Sequence, residues 1–127
     1  PDSSYTREAK IKLDLTRDHL AGKEMDVGRY YLTRGEFNAA INRFSAVIRD
    51  YQTTTHTPEA LHRLVECYVS LGLIDQAVRV AAVLGYNYPG SKWYQDSYDL
   101  LDPNAREQLK NSRGVMERTI ESILKPS

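Results

Sequence analysis

The chain has 127 residues, and its 17 lysines and arginines balance 17 aspartates and glutamates to a formal net charge of zero. That length suits one domain folding on an apolar core without metal or disulfide, and the charge balance removes the long-range field that would gather nucleic acid or an anionic membrane surface. The single cysteine, Cys67, excludes an internal disulfide and leaves the compartment open; no signal peptide and no apolar run long enough to cross a bilayer occurs in the sequence.

The first predicted element runs over residues 4–34. Tyr5, Ala9, Leu13 and Leu20 lead toward Met25, Val27 and Tyr31 at helical spacing, with Gly22 as a weak interruption. The pattern predicts one long helix, and a break into two helices at Ala21-Gly22 stays open. The Ala9/Leu13 pair precedes Ala60/Leu64 by 51 residues, 14 more than the repeat described next, so this helix reads as lengthened by two heptads that nearly keep its buried face.

An offset of 37 residues pairs Tyr31 with Tyr68, Gly35 with Gly72, Ala40 with Ala77 and Tyr51 with Tyr88. The first copy carries Gly28, Tyr31, Gly35, Ala40 and Phe44 at the spacing G-x2-Y-x3-G-x4-A-x3-F, and the second keeps Tyr68, Gly72, Ala77 and Ala81. Each position has a packing role. Tyrosine fills the groove between paired helices, the alanines permit close approach, and Gly35 or Gly72 ends the first helix. The unit resembles the tetratricopeptide repeat, whose usual period is 34. The extra residues fall in the polar stretch 52–57, predicted as a longer loop in which Thr57 caps a helix over 58–71 that opens on Pro58. Its partner runs from Ile74 to Leu84, where Gly85 and the turn Tyr88-Pro89-Gly90 stop it.

Beyond the repeats, Ser91 caps a short helix bearing Trp93, Tyr94, Tyr98 and Leu101, and Asp102-Pro103 both stops it and starts the next. Ala105, Leu109, Met116, Ile120, Ile123 and Leu124 outline an amphipathic last helix over the end of the stack, weakened between Asn111 and Gly114. The expected fold is all-α: a tetratricopeptide-repeat superhelix of antiparallel helix pairs with a C-terminal capping helix. It forms one unit over 1–127, with a first repeat over 1–51, a second over 52–89 and C-terminal helices over 90–127.

Nothing in the pattern points to catalysis or a cofactor. His19, His56 and His62 fall on a helix surface, in a loop and on another helix, without metal-ligand spacing, and read as solvated. Asp14 and Asp18 share a helix face, but a catalytic carboxylate needs a pocket that shifts its pKa, and a charged outer face explains them better. Phosphate-binding glycine loops, nucleophile elbows and paired CxxC motifs do not occur. Cys67 reads as a small buried apolar residue. Tyr31 and Tyr68 belong to the core, whereas Tyr30 and Trp93 fit either packing or a partner. Arginines near such aromatics, Arg29, Arg34 and Arg43, are the better candidates for protein contact, with solvated charge as the plainer alternative.

The runs Gly28-Arg29-Tyr30-Tyr31-Leu32-Thr33-Arg34-Gly35 and Ala39-Ala40-Ile41-Asn42-Arg43-Phe44, with Ala82-Val83-Leu84-Gly85-Tyr86-Asn87-Tyr88-Pro89-Gly90-Ser91, resemble the BamD family of ComL-like outer-membrane assembly lipoproteins. The resemblance covers Pro1 to about Leu101. It implies a C-terminal part of a non-enzymatic, lipid-anchored subunit on the periplasmic face of the outer membrane, with the acylated cysteine upstream. Its partner would be the POTRA region of BamA, with other assembly lipoproteins and unfolded outer-membrane proteins as further candidates, and no nucleic acid. The family's docking arginine corresponds to Arg43 in the Asn42-Arg43 pair, with Arg34 and Glu36 in the nearby turn. Another periplasmic repeat adaptor, of the kind that coordinates envelope constriction, shares the Tyr-Pro-x-Ser turn. A cytosolic carboxylate-clamp cochaperone is disfavoured, because Glu59, His62 and Glu66 would give its groove an acidic lining.

Overall fold

A computed structural model describes residues 3–112 and builds them from α1 (Ser3–Thr33), α2 (Phe37–Asp50), α3 (Thr57–Ser70), α4 (Ile74–Asn87), α5 (Lys92–Leu100) and α6 (Pro103–Asn111). Helix α1 is unbroken, so Gly22 does not divide it. The first four helices pack in sequence order, α1 on α2, α2 on α3 and α3 on α4; α5 then packs on both α3 and α4, and α6 on α4. This is the all-α stack of antiparallel pairs that the repeat requires, closed by α6. Met116, Ile120, Ile123 and Leu124, expected on the last helix, lie outside the described residues.

The repeat signal has a backbone origin. Gly35 and Gly72 adopt φ of 74° and 75°, the left-handed region that disfavours residues with a Cβ. In each turn the same two bonds close the preceding helix: Gly35 N–H to Leu32 C=O and Glu36 N–H to Tyr31 C=O, then Gly72 N–H to Val69 C=O and Leu73 N–H to Tyr68 C=O, at 2.8–3.0 Å. These are paired Schellman closures. Helices α2 and α4 end alike but without a left-handed residue: Tyr51 and Tyr88, at φ of −134° and −135°, donate their N–H to the C=O of Val47 and Leu84.

The core runs through Met25, Ala40, Phe44, Val47, Ile48, Leu61, Leu64, Val65 and Ala77, with Tyr31 and Tyr68 packed against it. Helix α4 buries five consecutive residues, Val80–Leu84, because α3 covers one side and α5 with α6 the other; a helix apolar all round must be enclosed. Four expectations need correction. Helix α4 continues through Gly85 to Asn87, and Gly85 instead seats an aromatic ring: a Cβ there would lie 2.5 Å from Tyr94 Cε1. Thr57 is the first residue of α3 and makes no cap; fully buried, its Oγ1 donates to Gln52 C=O at 2.8 Å and ties down the loop. His62 is buried. Finally, the lengthened part of α1 keeps no buried face in this chain, since Tyr5, Leu13 and Leu20 are exposed.

Candidate protein-docking groove

The two flanks of α1 carry different surfaces, because residues about seven apart share a helix face while Glu24 and Arg29 fall on opposite ones. On one flank Glu24 and Tyr31 meet Ala39, Asn42, Arg43 and Ala46 of α2 across an open groove of about 540 Å³ that ends at Tyr51. Arg43 stands at its edge with its side chain 44% exposed, and its Nη1 reaches Glu24 Oε1 only at 3.4 Å. The guanidinium therefore keeps most of its fork free for a second carboxylate. Asn42 is exposed beside it. Arg34 and Glu36 occupy the adjoining turn: Arg34 lies 5.4 Å from the centre of the exposed Tyr30 ring, and Glu36 precedes α2 without a side-chain cap bond. The sequence pattern marks Tyr51 only as a repeat position and does not single out Glu24, although Glu24 sits seven residues before Tyr31 on one face.

Arg29 is placed differently. It lies on the other flank of α1, where Leu15, Asp18, Gly22, Asp26 and His56 line a second groove of about 440 Å³. Its Nε and Nη2 donate to both oxygens of Glu59 at 2.8 and 2.7 Å, and Nη1 donates to Asp26 at 2.9 Å. Arg63 adds bonds to Glu59 at 3.0 Å and to Glu66 at 2.7 Å. The Arg29 fork holds the Glu59 carboxyl below the usual carboxylate range despite its partial burial. Thus Arg29 straps α1 to α3. The acidic lining inferred for α3 is also absent as such: Glu59 and Glu66 are neutralised within the fold, and His62 points inward. Nearby, Thr55 N–H and Oγ1–H both donate to Asp18 Oδ1 at 2.9 Å, which lowers its pKa and pins the 52–57 loop to α1.

At the α3–α5 contact, the His62 ring lies 5.4 Å from the Trp93 ring, and Trp93 also takes Arg63 and Lys92 at 5.4 Å. Trp93 is therefore wedged into the stack, while Tyr30 stays exposed. Cys67 is buried, and desolvation pushes its thiol up to about 12. Among the described residues no group of His, Cys, Asp and Glu is placed to hold a metal, and no helix is long and apolar enough to cross a membrane.

Comparison with known proteins adds a family. A family model, YfiO, described as an outer membrane lipoprotein, matches residues 1–84. The outer membrane protein assembly factor BamD of Caulobacter vibrioides is 52% identical over 128 residues, covering 98% of this chain and 41% of that protein. The protein of that name from Rickettsia prowazekii is 55% identical over 101 residues, covering 80% of this chain and 40% of its own length. That from Neisseria meningitidis serogroup A is 38% identical over 91 residues, with coverages of 72% and 34%. The chain spans about two-fifths of the length of the first two relatives. No solved structure matches it.

Proposed function

The chain belongs to the YfiO outer membrane lipoprotein family, and from that premise we propose that it is a non-enzymatic, protein-binding part of the machinery that assembles outer-membrane β-barrels, working at the periplasmic face of that membrane. Its relatives are named as outer membrane protein assembly factors, and a stack of helix pairs offers them what an adaptor needs, a rigid extended surface. The partner in this proposal is the POTRA region of BamA, and its docking place is the Arg43 groove.

The observation that carries the site is the contrast between two arginines. Arg29 spends its fork on Glu59 inside the fold, whereas Arg43 holds Glu24 only at 3.4–3.5 Å and stays exposed at the edge of a groove. A partner carboxylate can take both of its terminal nitrogens, and such bidentate pairs combine strength with orientation. Truncating one side of a desolvated pair commonly costs about 2 kcal/mol or more, a loss of roughly thirtyfold in affinity. Arg43→Ala is therefore expected to weaken binding to the POTRA domains by calorimetry while leaving far-UV helicity unchanged. An unaltered affinity would remove Arg43 from the interface.

A further inference from the structure

The contact between α3 and α5 is made partly through a buried histidine whose Nδ1 is already taken up by a hydrogen bond. His62 is 5% exposed and Ser97 is fully buried, and Nδ1 of the ring lies 2.8 Å from Ser97 Oγ. These two side chains come from helices 35 residues apart in sequence. Trp93 covers one side of the ring, with the two planes 36° apart. Ser97 has no other side-chain hydrogen bond among the described residues, and only the tautomer with an unprotonated Nδ1 gives its hydroxyl hydrogen an acceptor; on that ground the hydroxyl is assigned as the donor to Nδ1 in the neutral state.

We propose that the His62–Ser97 contact is a proton-sensitive latch that holds the α5–α6 cap on the α3–α4 pair when His62 is neutral and loosens it when His62 is protonated. A doubly protonated imidazole turns Nδ1 into a donor. Ser97 must then accept, and its own hydrogen is left buried without an acceptor, a cost added to that of a charge removed from water.

The groups facing the ring decide how far the surroundings can compensate. From α3, Glu66 Oε1 lies 3.6 Å from Nε2, but Arg63 already holds that same oxygen at 2.7 Å, and Glu59 is shared between Arg29 and Arg63. From α5, Asp96 attracts the proton and Lys92 lies beyond Trp93. Burial is the largest influence and, with Arg63, outweighs the three carboxylates, so the histidine sits below its ordinary value of 6.5.

The sign follows from that depression. The docked state binds the proton less readily than the released one, so the latch is fully effective above pH 6.5 and weakens as pH falls toward the depressed value. What it guards is the apolar surface that Leu101, Ala105 and Leu109 cover against α4.

Hydrogen exchange on the full chain, corrected for the intrinsic pH dependence of exchange, reads the latch directly. Protection of α5 and α6 amides is expected to fall below pH 6.5, by up to about tenfold per pH unit for a one-proton linkage, while protection in α2 and α3 holds. In His62→Asn, which keeps a side-chain acceptor near Nδ1 and cannot take up a proton, the fall should vanish. Cap protection independent of pH in the wild type, or falling equally in the variant, overturns the latch. Should His62→Asn leave the cap undocked at every pH, titration of the wild-type His62 ring by NMR decides: a midpoint below that of an unstructured histidine supports the latch, and one at or above it overturns it.

Discussion

Gly28 and Gly85 do the same job at two places, and the difference between them predicts different outcomes of one substitution. A Cβ on Gly28 would lie 2.5 Å from Phe44 Cε1, and a Cβ on Gly85 equally close to Tyr94 Cε1. Alanine gains about 1 kcal/mol over glycine in a helix, but overpacking a core costs about 1–3 kcal/mol. Phe44 is fully buried and cannot retreat, whereas Tyr94 is half-buried and can swing outward. Gly28→Ala is therefore expected to lose about 1–2 kcal/mol in urea unfolding, and Gly85→Ala to remain near wild type. Gly28 was legible in the sequence because the repeat spacing flags it together with Phe44. Gly85 was misread as a stop because a glycine near a helix end usually is one, and only the ring arriving from α5 shows otherwise. His62 was misread for the same reason: the α3 pattern alone shows no neighbour beyond α4, and α5 supplies it.

At the level of elements, the strap from α1 to α3 makes its own pH prediction. The Glu59 carboxylate is held below its ordinary value of 4.5 chiefly by the Arg29 hydrogen bonds, so its contribution to stability is complete above pH 4.5 and disappears as pH falls through the lowered value. Arg29 remains about one-third exposed, which screens the pair and limits it to about 1 kcal/mol. Glu59→Gln should lose that amount at pH 7 and flatten the stability profile below pH 4.5; an unchanged acid limb would mean that the strap does not hold the helices together. The helices themselves were largely readable. Ser91 Oγ accepts from Trp93 N–H at 3.1 Å and Asp102 Oδ1 from Ala105 N–H at 2.8 Å, the caps that their sequence positions announce. The pairing of Arg29 with Glu59 was not readable, since the two lie 30 residues apart and a surface arginine looks the same whether its partner is in the chain or outside it.

For the whole molecule, stability is unevenly distributed, and α1 shows it most clearly. In the middle of α1, Arg17 Nη2 donates to Asp50 C=O at 3.2 Å and Asp18 accepts from Thr55. Before them Ile11, Leu13 and Leu15 are 53%, 58% and 65% exposed, on more than one side of the helix. Such a segment gains little from tertiary burial, and a helix of that length is marginal on its own propensity. In a stack where each element leans on its neighbours, that places residues 7–16 at the low-stability end and the stretch around Met25, Gly28 and Tyr31, which pack toward α2, near the top. Hydrogen exchange should resolve the gradient within one unbroken helix, fast over residues 7–16 and slow after Ala21. Replacing Ile11, Leu13 and Leu15 together by alanine should leave the helical signal near wild type and move the urea unfolding free energy by no more than about 0.5 kcal/mol. The slope of the transition should hardly change, because slope follows the surface newly exposed on unfolding and these side chains are already in water. A loss of 2 kcal/mol or more would show instead that this exposed stretch of α1 is coupled to the core.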